Sequence, residues 1–483
     1  MVDFGIFEDW HPEPGTLTSW TASPHSRNTV AKAPAHHSPP SYQQQEYLRT
    51  ALRNADKGFR SSRLCMIAFD IPGTPDHAAM TRTVNAFLRR HDTFHSWFEL
   101  ADDGHIVRHV TDSDSIEFTP TTHGHFADAQ AIRDHVQNET PGPFQWDCCS
   151  FGIIEHPDSF TVYAAVDHLH TDGVAQALSC VDLLLLYGAE VSGTEPALAP
   201  VDGHIDHSVQ ERRRNAELDA DSAPVRRWVQ LLQRNGGDLP QFPLDLGVRR
   251  AGYIPGSQRT MPLFEEADAV RFEQFCAAHG GKFLSGVCTA LALTEYELAG
   301  RDFYFGLTPV NTRSTDGEAG SVGWYTNLVP VTLPVAAADS FTSLVGKAQQ
   351  SYEQARELTH TSLHRVLELL PPDSGIRTRR GWSAPMLSYI DVRRIAGVDM
   401  FDQINGGMFG NRASSSQVYI WINRFNDVTK ISLLFPDTEQ AHAAVDRYIR
   451  RLTAILTSVA ADGEYTLGGH AVDDYAGEVE ALP

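Results

Sequence analysis

Val162-Tyr-Ala-Ala-Val-Asp-His-Leu-His-Thr-Asp-Gly173 decides how this chain is read. Phe160, Val162, Ala164 and Val166 fall on one face of an extended segment; Thr161, Tyr163 and Ala165 fall on the other. Alternation stops at Asp167. After Gly173 the apolar residues return with helical spacing, at Val174, Ala177, Leu178, Val181, Leu184 and Leu185. A turn between a buried strand and a buried helix therefore carries Asp167, His168, His170 and Asp172. Turns beside a core seldom hold so many titratable groups without a use for them. A neutral imidazole at His168 is suited to take a proton from an attacking hydroxyl or amine near neutral pH. Asp172, four residues on, is placed to fix the loop by pairing with a distant cation. Gly173, lacking a Cβ, is read as allowing a sharp turn and leaving room beside the imidazole. The helix start adds backbone N–H groups aimed at the same place. A solvated polar turn is the plain alternative. His-x-x-x-Asp-Gly between these two elements favours chemistry.

A chain of 483 residues is too long for one ordinary core. Residues 1–190 read as an N-terminal lobe, 191–203 as a Gly/Pro-rich linker, and 204–483 as a C-terminal lobe. Residues 1–40 read as an extended arm packing through Trp10 and Trp20. Ser41 is a candidate N-cap for the helix that follows. A strand is expected over 61–71 and a helix over 75–91. His91 and His95 fit a helix end better than a site. Residues 206–234 read as one charged helical stretch, and 235–256 as a Gly/Pro-rich passage. Strands and helices mix in both halves, without the regular alternation of a doubly wound parallel sheet. The fold class is α/β in the α+β sense.

Composition excludes several functions. The net charge of −22 argues against general nucleic-acid binding. No run of about 18 apolar residues spells out a membrane span. The N-terminal segment has neither a basic region nor an apolar signal core, so a cytoplasmic location is expected. Six cysteines make no disulfide framework, and four of them lie in apolar periodic stretches. Neither a Gly-rich phosphate loop nor a metal-ligand cluster is legible, so no metal and no permanently bound cofactor are expected.

His168-Leu-His-Thr-Asp172-Gly173 resembles the His-His-x-x-x-Asp-Gly motif of the condensation-domain acyltransferase superfamily. Four further stretches resemble motifs of that family: Ser41-Tyr-Gln-Gln44, Arg90-His-Asp-Thr-Phe-His-Ser-Trp-Phe98, Thr308-Pro-Val-Asn-Thr-Arg313 and Val322-Gly-Trp-Tyr-Thr-Asn327. Order and spacing agree over nearly the whole chain. Glu8-Asp-Trp-His-Pro-Glu-Pro-Gly15, Gln145-Trp-Asp-Cys148 and Asn235-Gly-Gly-Asp-Leu-Pro240 are similar to actinobacterial polyketide-associated acyltransferases acting on trehalose glycolipids.

The resemblance implies a pseudo-dimer of two chloramphenicol-acetyltransferase-like lobes with a tunnel between them. It implies a long-chain acyl thioester donor, on coenzyme A or a carrier protein, and a sugar hydroxyl as acceptor. It makes His168 the general base. Asp167, Asp172 and Gly173 become loop and oxyanion supports, and Arg313 the structural partner of Asp172. Ser41, Gln44, Trp324 and Asn327 become candidates to line the tunnel. A monomer is expected, with peripheral membrane association admitted. The chain departs from the motif at its first histidine, which is Asp167 here. Two other readings stay open. One is a free-standing nonribosomal-peptide-type condensation enzyme forming an amide or ester. The other is an inactive binding module, against which the joint presence of His168, Asp172, Gly173 and Arg313 speaks.

Overall fold

The computed structural model describes residues 3–55, 63–248, 254–371, 373–378, 382–395, 398–412 and 416–468. The first positions of the strand expected over 61–71, and part of the passage 235–256, lie outside these residues.

A mixed, largely antiparallel sheet of seven strands organises the first half. Its centre is Ser159–Asp167, paired with Leu64–Pro72 on one side and Cys149–Glu155 on the other. Residues 160–167 are all buried, because both faces of this strand are covered. The helices His77–Arg90 and Gly173–Ser192 pack on one face, through Met80, Val84, Phe87, Cys180 and Leu183. On the other face, Ile132 and Val136 of the helix Ala129–Glu139 meet Leu17, Met66 and Tyr163. Gly173–Ser192 is long and apolar enough by length and composition to cross a membrane. Half of that window is buried against this core.

The expected arm is instead woven into the sheet. Gly15–Ala22 pairs with both Cys149–Glu155 and Phe118–Phe126, and Trp20 is fully buried. Its Thr and Ser content hides a strand because those hydroxyls are satisfied inside: Thr18 bonds Thr122, and Ser19 bonds Glu139.

The second half builds a four-stranded sheet, Met386–Asp391, Tyr419–Arg424, Val428–Pro436 and Gly256–Glu265 in that order, and a separate pair, Phe303–Asn311 with Thr326–Pro334. The apolar helix Phe283–Ala299 and the closing helix Glu439–Asp462 share one core with these strands. The charged stretch 206–234 is two helices, His204–Ala216 and Ala223–Arg234. They are broken by Glu217-Leu-Asp-Ala-Asp-Ser222, with Pro224 opening the second. One strand of the second half crosses over. Gly407–Gly410 inserts between Asp3–Ile6 and Leu64–Pro72, becoming part of the first half's sheet.

Candidate active site

The strand Ser159–Asp167 delivers the motif. Asp167 ends it by capping the single helical turn His168–His170, its Oδ1 accepting the Leu169 N–H at 3.0 Å. Its Oδ2 accepts the Tyr47 O–H at 3.0 Å. Tyr47 Oη accepts the Arg63 N–H at 2.9 Å, and the His168 N–H donates to the Arg63 carbonyl at 2.7 Å. The buried carboxylate thus does the loop-holding in this chain: it ties His168 to the helix Tyr42–Ala55 and to the start of Leu64–Pro72.

The His168 ring lies against Trp324 of the second half, centroids 4.3 Å apart at 42°. Its Nδ1 is buried with no aligned hydrogen-bond partner. Burial pushes its pKa down to about 4; the Arg63 guanidinium adds to the drop, while nearby backbone groups and the Asp172 carboxylate oppose it. The imidazole is therefore neutral and basic in form across the physiological range. If it is the base, kcat/KM stays level from pH 8 to about 5 and falls as the pH drops through about 4. A pH–rate profile checks this, and an acid limb centred near 6.5 would contradict it. Folding stability moves in step. The unfolded imidazole binds its proton near 6.5 and the folded one only near 4, so acid through that window destabilises the fold.

His170 points elsewhere. It is buried, its Nδ1 lies 2.9 Å from Thr93 Oγ1, and its ring stacks near Phe98. Burial, helped by Arg108, lowers its pKa to about 3. His91 is likewise structural. Its Nε2 meets Asp182 at 2.9 Å and its Nδ1 accepts the Val322 N–H, with burial the chief cause of its lowered pKa.

Asp172 does two jobs at once. As N-cap of Gly173–Ser192 its Oδ1 accepts the Ala175 N–H at 2.8 Å. It also takes both terminal nitrogens of Arg313, Nη1 to Oδ2 at 3.0 Å and Nη2 to Oδ1 at 3.3 Å. The Tyr325 N–H adds a further bond to Oδ2 at 2.8 Å. Arg313 lies over the Tyr325 ring and donates to the Ser321 carbonyl. With both oxygens occupied, Asp172 has no free lone pair with which to act as a base, and its role is to hold the halves together.

Gly173 differs from expectation. Its φ lies outside the left-handed region, and an added Cβ would meet only Ile390 Cδ1, at 3.9 Å. No sharp turn demands glycine here. What the position offers is open space at an exposed helix start, facing the second half. The N–H groups of Gly173 and Val174 belong to the first helical turn, which has no intrahelical acceptors for them.

The tunnel candidates separate. Trp324 is in contact with the proposed base. Ser41 and Gln44 are buried and cap each other, the Ser41 N–H donating to Gln44 Oε1 and the Gln44 N–H to Ser41 Oγ. Gln44 Nε2 then donates to the Leu169 carbonyl at 2.9 Å, another strut under the motif. Asn327 is buried and donates to the Thr359 and Thr361 carbonyls, away from His168. Two residues escaped the sequence reading. Tyr47 sits one turn after Gln44 on the same helix face, a spacing that could have flagged it. Arg108 is fully buried, reaches Gln44 Oε1 at 3.3 Å, and is held by burial at a pKa of about 10. Nothing local in Ile106–Val110 announces an interior cation.

The comparisons with known proteins agree with this geometry. The Condensation domain family model matches residues 56–375. The trehalose-2-sulfate acyltransferase PapA2 of Mycobacterium tuberculosis is 37% identical over 464 residues, covering 95% of this chain and 98% of its own. The 2'-acyl-2-O-sulfo-trehalose (hydroxy)phthioceranyltransferase PapA1 of the same organism is 36% identical over 482 residues, covering 98% and 91%. The solved structure titled PapA2 acyl transferase superposes with a TM-score of 0.87 at 37% identity, over 95% of this chain and all of that one. The first condensation domain of the calcium-dependent antibiotic synthetase shares the fold, at a TM-score of 0.66 and 18% identity over 91% of this chain and all of that one.

Proposed function

The chain belongs to the condensation-domain family, and from that premise we propose that it moves a long acyl chain from a thioester to a hydroxyl of a trehalose-type sugar. The observation that carries this is His168: a neutral imidazole on a loop pinned from both halves, beside an open helix start. The relatives named for transfer to sulfated trehalose support the acceptor class. Coenzyme A or a carrier protein supplies the thioester, which fits a cytoplasmic enzyme.

His168 takes the proton of the sugar hydroxyl as its oxygen attacks the thioester carbonyl. The N–H groups of Gly173 and Val174, which have no intrahelical acceptors, are the donors assigned to the oxyanion. Collapse forms the ester and breaks the C–S bond. The imidazolium returns its proton to the leaving thiolate, so a free thiol is released. Proximity of two substrates between the lobes supplies much of the acceleration, and no covalent acyl-enzyme is required. Trehalose with competing acetyl and C12 to C18 coenzyme A donors tests the reading. Preferential release of thiol from the long donors is expected. A preference for acetyl would count against it.

A further inference from the structure

Away from His168, three side chains with metal-binding atoms converge. His123 lies on the edge strand Phe118–Phe126; His135 and Glu139 lie one turn apart on the helix Ala129–Glu139. Each offers one donor atom, and the three atoms lie within 4.8 Å of one another. His123 Nε2 is 3.4 Å from Glu139 Oε1, and His135 Nε2 is 3.1 Å from Glu139 Oε2. Four ligands about 2.0–2.1 Å from one tetrahedral zinc ion stand roughly 3.3 Å apart, close to each of these separations, which run to the two oxygens of one carboxylate.

Hydrogen bonding accounts for only part of the cluster. His135 Nε2 and Glu139 Oε2 are both buried, and despite their closeness neither has an aligned partner. By distance they form an ion pair, and an ion placed between them would give both atoms a directed partner. The imidazole rings are 4.2 Å apart between centroids, close enough for both to reach one ion. Ser19 Oγ donates to Glu139 Oε1 at 2.9 Å and lies 2.8 Å from His123 Nε2, so it holds these two donor atoms together and would be displaced from His123 Nε2 by a bound ion. The three side chains are 18 to 21% exposed, which leaves room for solvent as a further ligand.

We propose that His123, His135 and Glu139 form a binding site for a divalent transition metal of the zinc type. Two imidazoles and one carboxylate suit that class of ion. The sequence reading expected no metal cluster, because residues 123 and 135 are too far apart for a recognisable ligand spacing; the packing of helix on edge strand brings them together. The bound ion would clip the helix Ala129–Glu139 to Gly15–Ala22 and Phe118–Phe126, closing the sheet edge. It would stabilise the folded chain by mass action. No role in acyl transfer is assigned to it.

The test is zinc and cobalt titration of chelator-stripped full-length protein. One zinc per chain is expected, with a rise in melting temperature, and cobalt should give the visible absorption of a low-coordinate nitrogen and oxygen site. His135→Ala and Glu139→Gln should each weaken zinc binding at least tenfold and abolish the melting rise. His125→Ala, at the exposed histidine two residues along the same strand, should change neither. Should either cluster variant fail to fold, His123→Gln, on the strand, gives the same reading. Absence of stoichiometric uptake overturns the proposal, as does uptake that survives all three cluster substitutions.

Discussion

His168→Ala is expected to lower kcat/KM for acyl transfer by about 10²- to 10⁴-fold while the chain still folds. The size follows from removing the group that accepts the hydroxyl proton as the new C–O bond forms. The selectivity follows from the surroundings. Asp172 has all four acceptor sites of its carboxylate taken and cannot take over the proton, and Asp167 is engaged by Tyr47 and the Leu169 N–H. His170 is buried against Thr93 and Phe98 and does not reach across. Folding should survive because the loop is held by its backbone and by Asp167, not by the imidazole, whose Nδ1 makes no aligned bond. Steady-state kinetics with a long-chain donor, beside circular dichroism of the variant, checks both halves of the expectation. Activity within a few-fold of wild type would remove His168 from the mechanism. His170→Ala should cost packing and little transfer.

The second large effect concerns Asp172 and Arg313. Their side chains are 6% and 3% exposed and meet through two hydrogen bonds across the halves. Removing one charge strands the other in a low-dielectric site, at a cost of about 3–5 kcal/mol. Losing the helix cap alone would cost only about 1 kcal/mol. Asp172→Asn keeps an oxygen for the Ala175 N–H but loses the bidentate pair, so it separates the two contributions. Arg313→Gln removes the same pair from the other side and also loses the bond to the Ser321 carbonyl. Denaturant unfolding should show each single variant clearly destabilised. The double variant should fall well short of the sum, because the second change removes a charge already stranded. Simple additivity would mean the two residues act independently. Transfer should also suffer in both singles, since the pair sets where the His168 loop meets Trp324.

Much of the site was legible because its signals are local. The switch from alternation to helical spacing at Asp167 marks the strand, the turn and the helix. Capping chemistry is readable in Ser41-Tyr-Gln-Gln44 and Asp172-Gly173. The Asp172–Arg313 contact, 141 residues apart in sequence, came through resemblance, since no spacing rule links such positions. What escaped the sequence depends on tertiary partners. Gly15–Ala22 reads as polar until Thr122 and Glu139 satisfy its hydroxyls. Gly407–Gly410 is too short and glycine-rich to declare itself, and only the open slot beside Leu64–Pro72 makes it a strand. Of the two roles inferred for Gly173, the sharp turn did not hold, while the open space beside the helix start is there. Asp167 illustrates the converse. In sequence it is a departure from a motif; in the fold it is a buried acceptor for the Tyr47 O–H and the Leu169 N–H.

Direct identification of the product tests the central claim. The protein is incubated with palmitoyl-coenzyme A and either trehalose or trehalose 2-sulfate, and the mixture is resolved by mass spectrometry. The account predicts a sugar carrying a palmitoyl ester, one free coenzyme A thiol per ester formed, and neither product in His168→Ala. Free palmitate with no sugar ester, or an unchanged thioester with an intact His168, would contradict it.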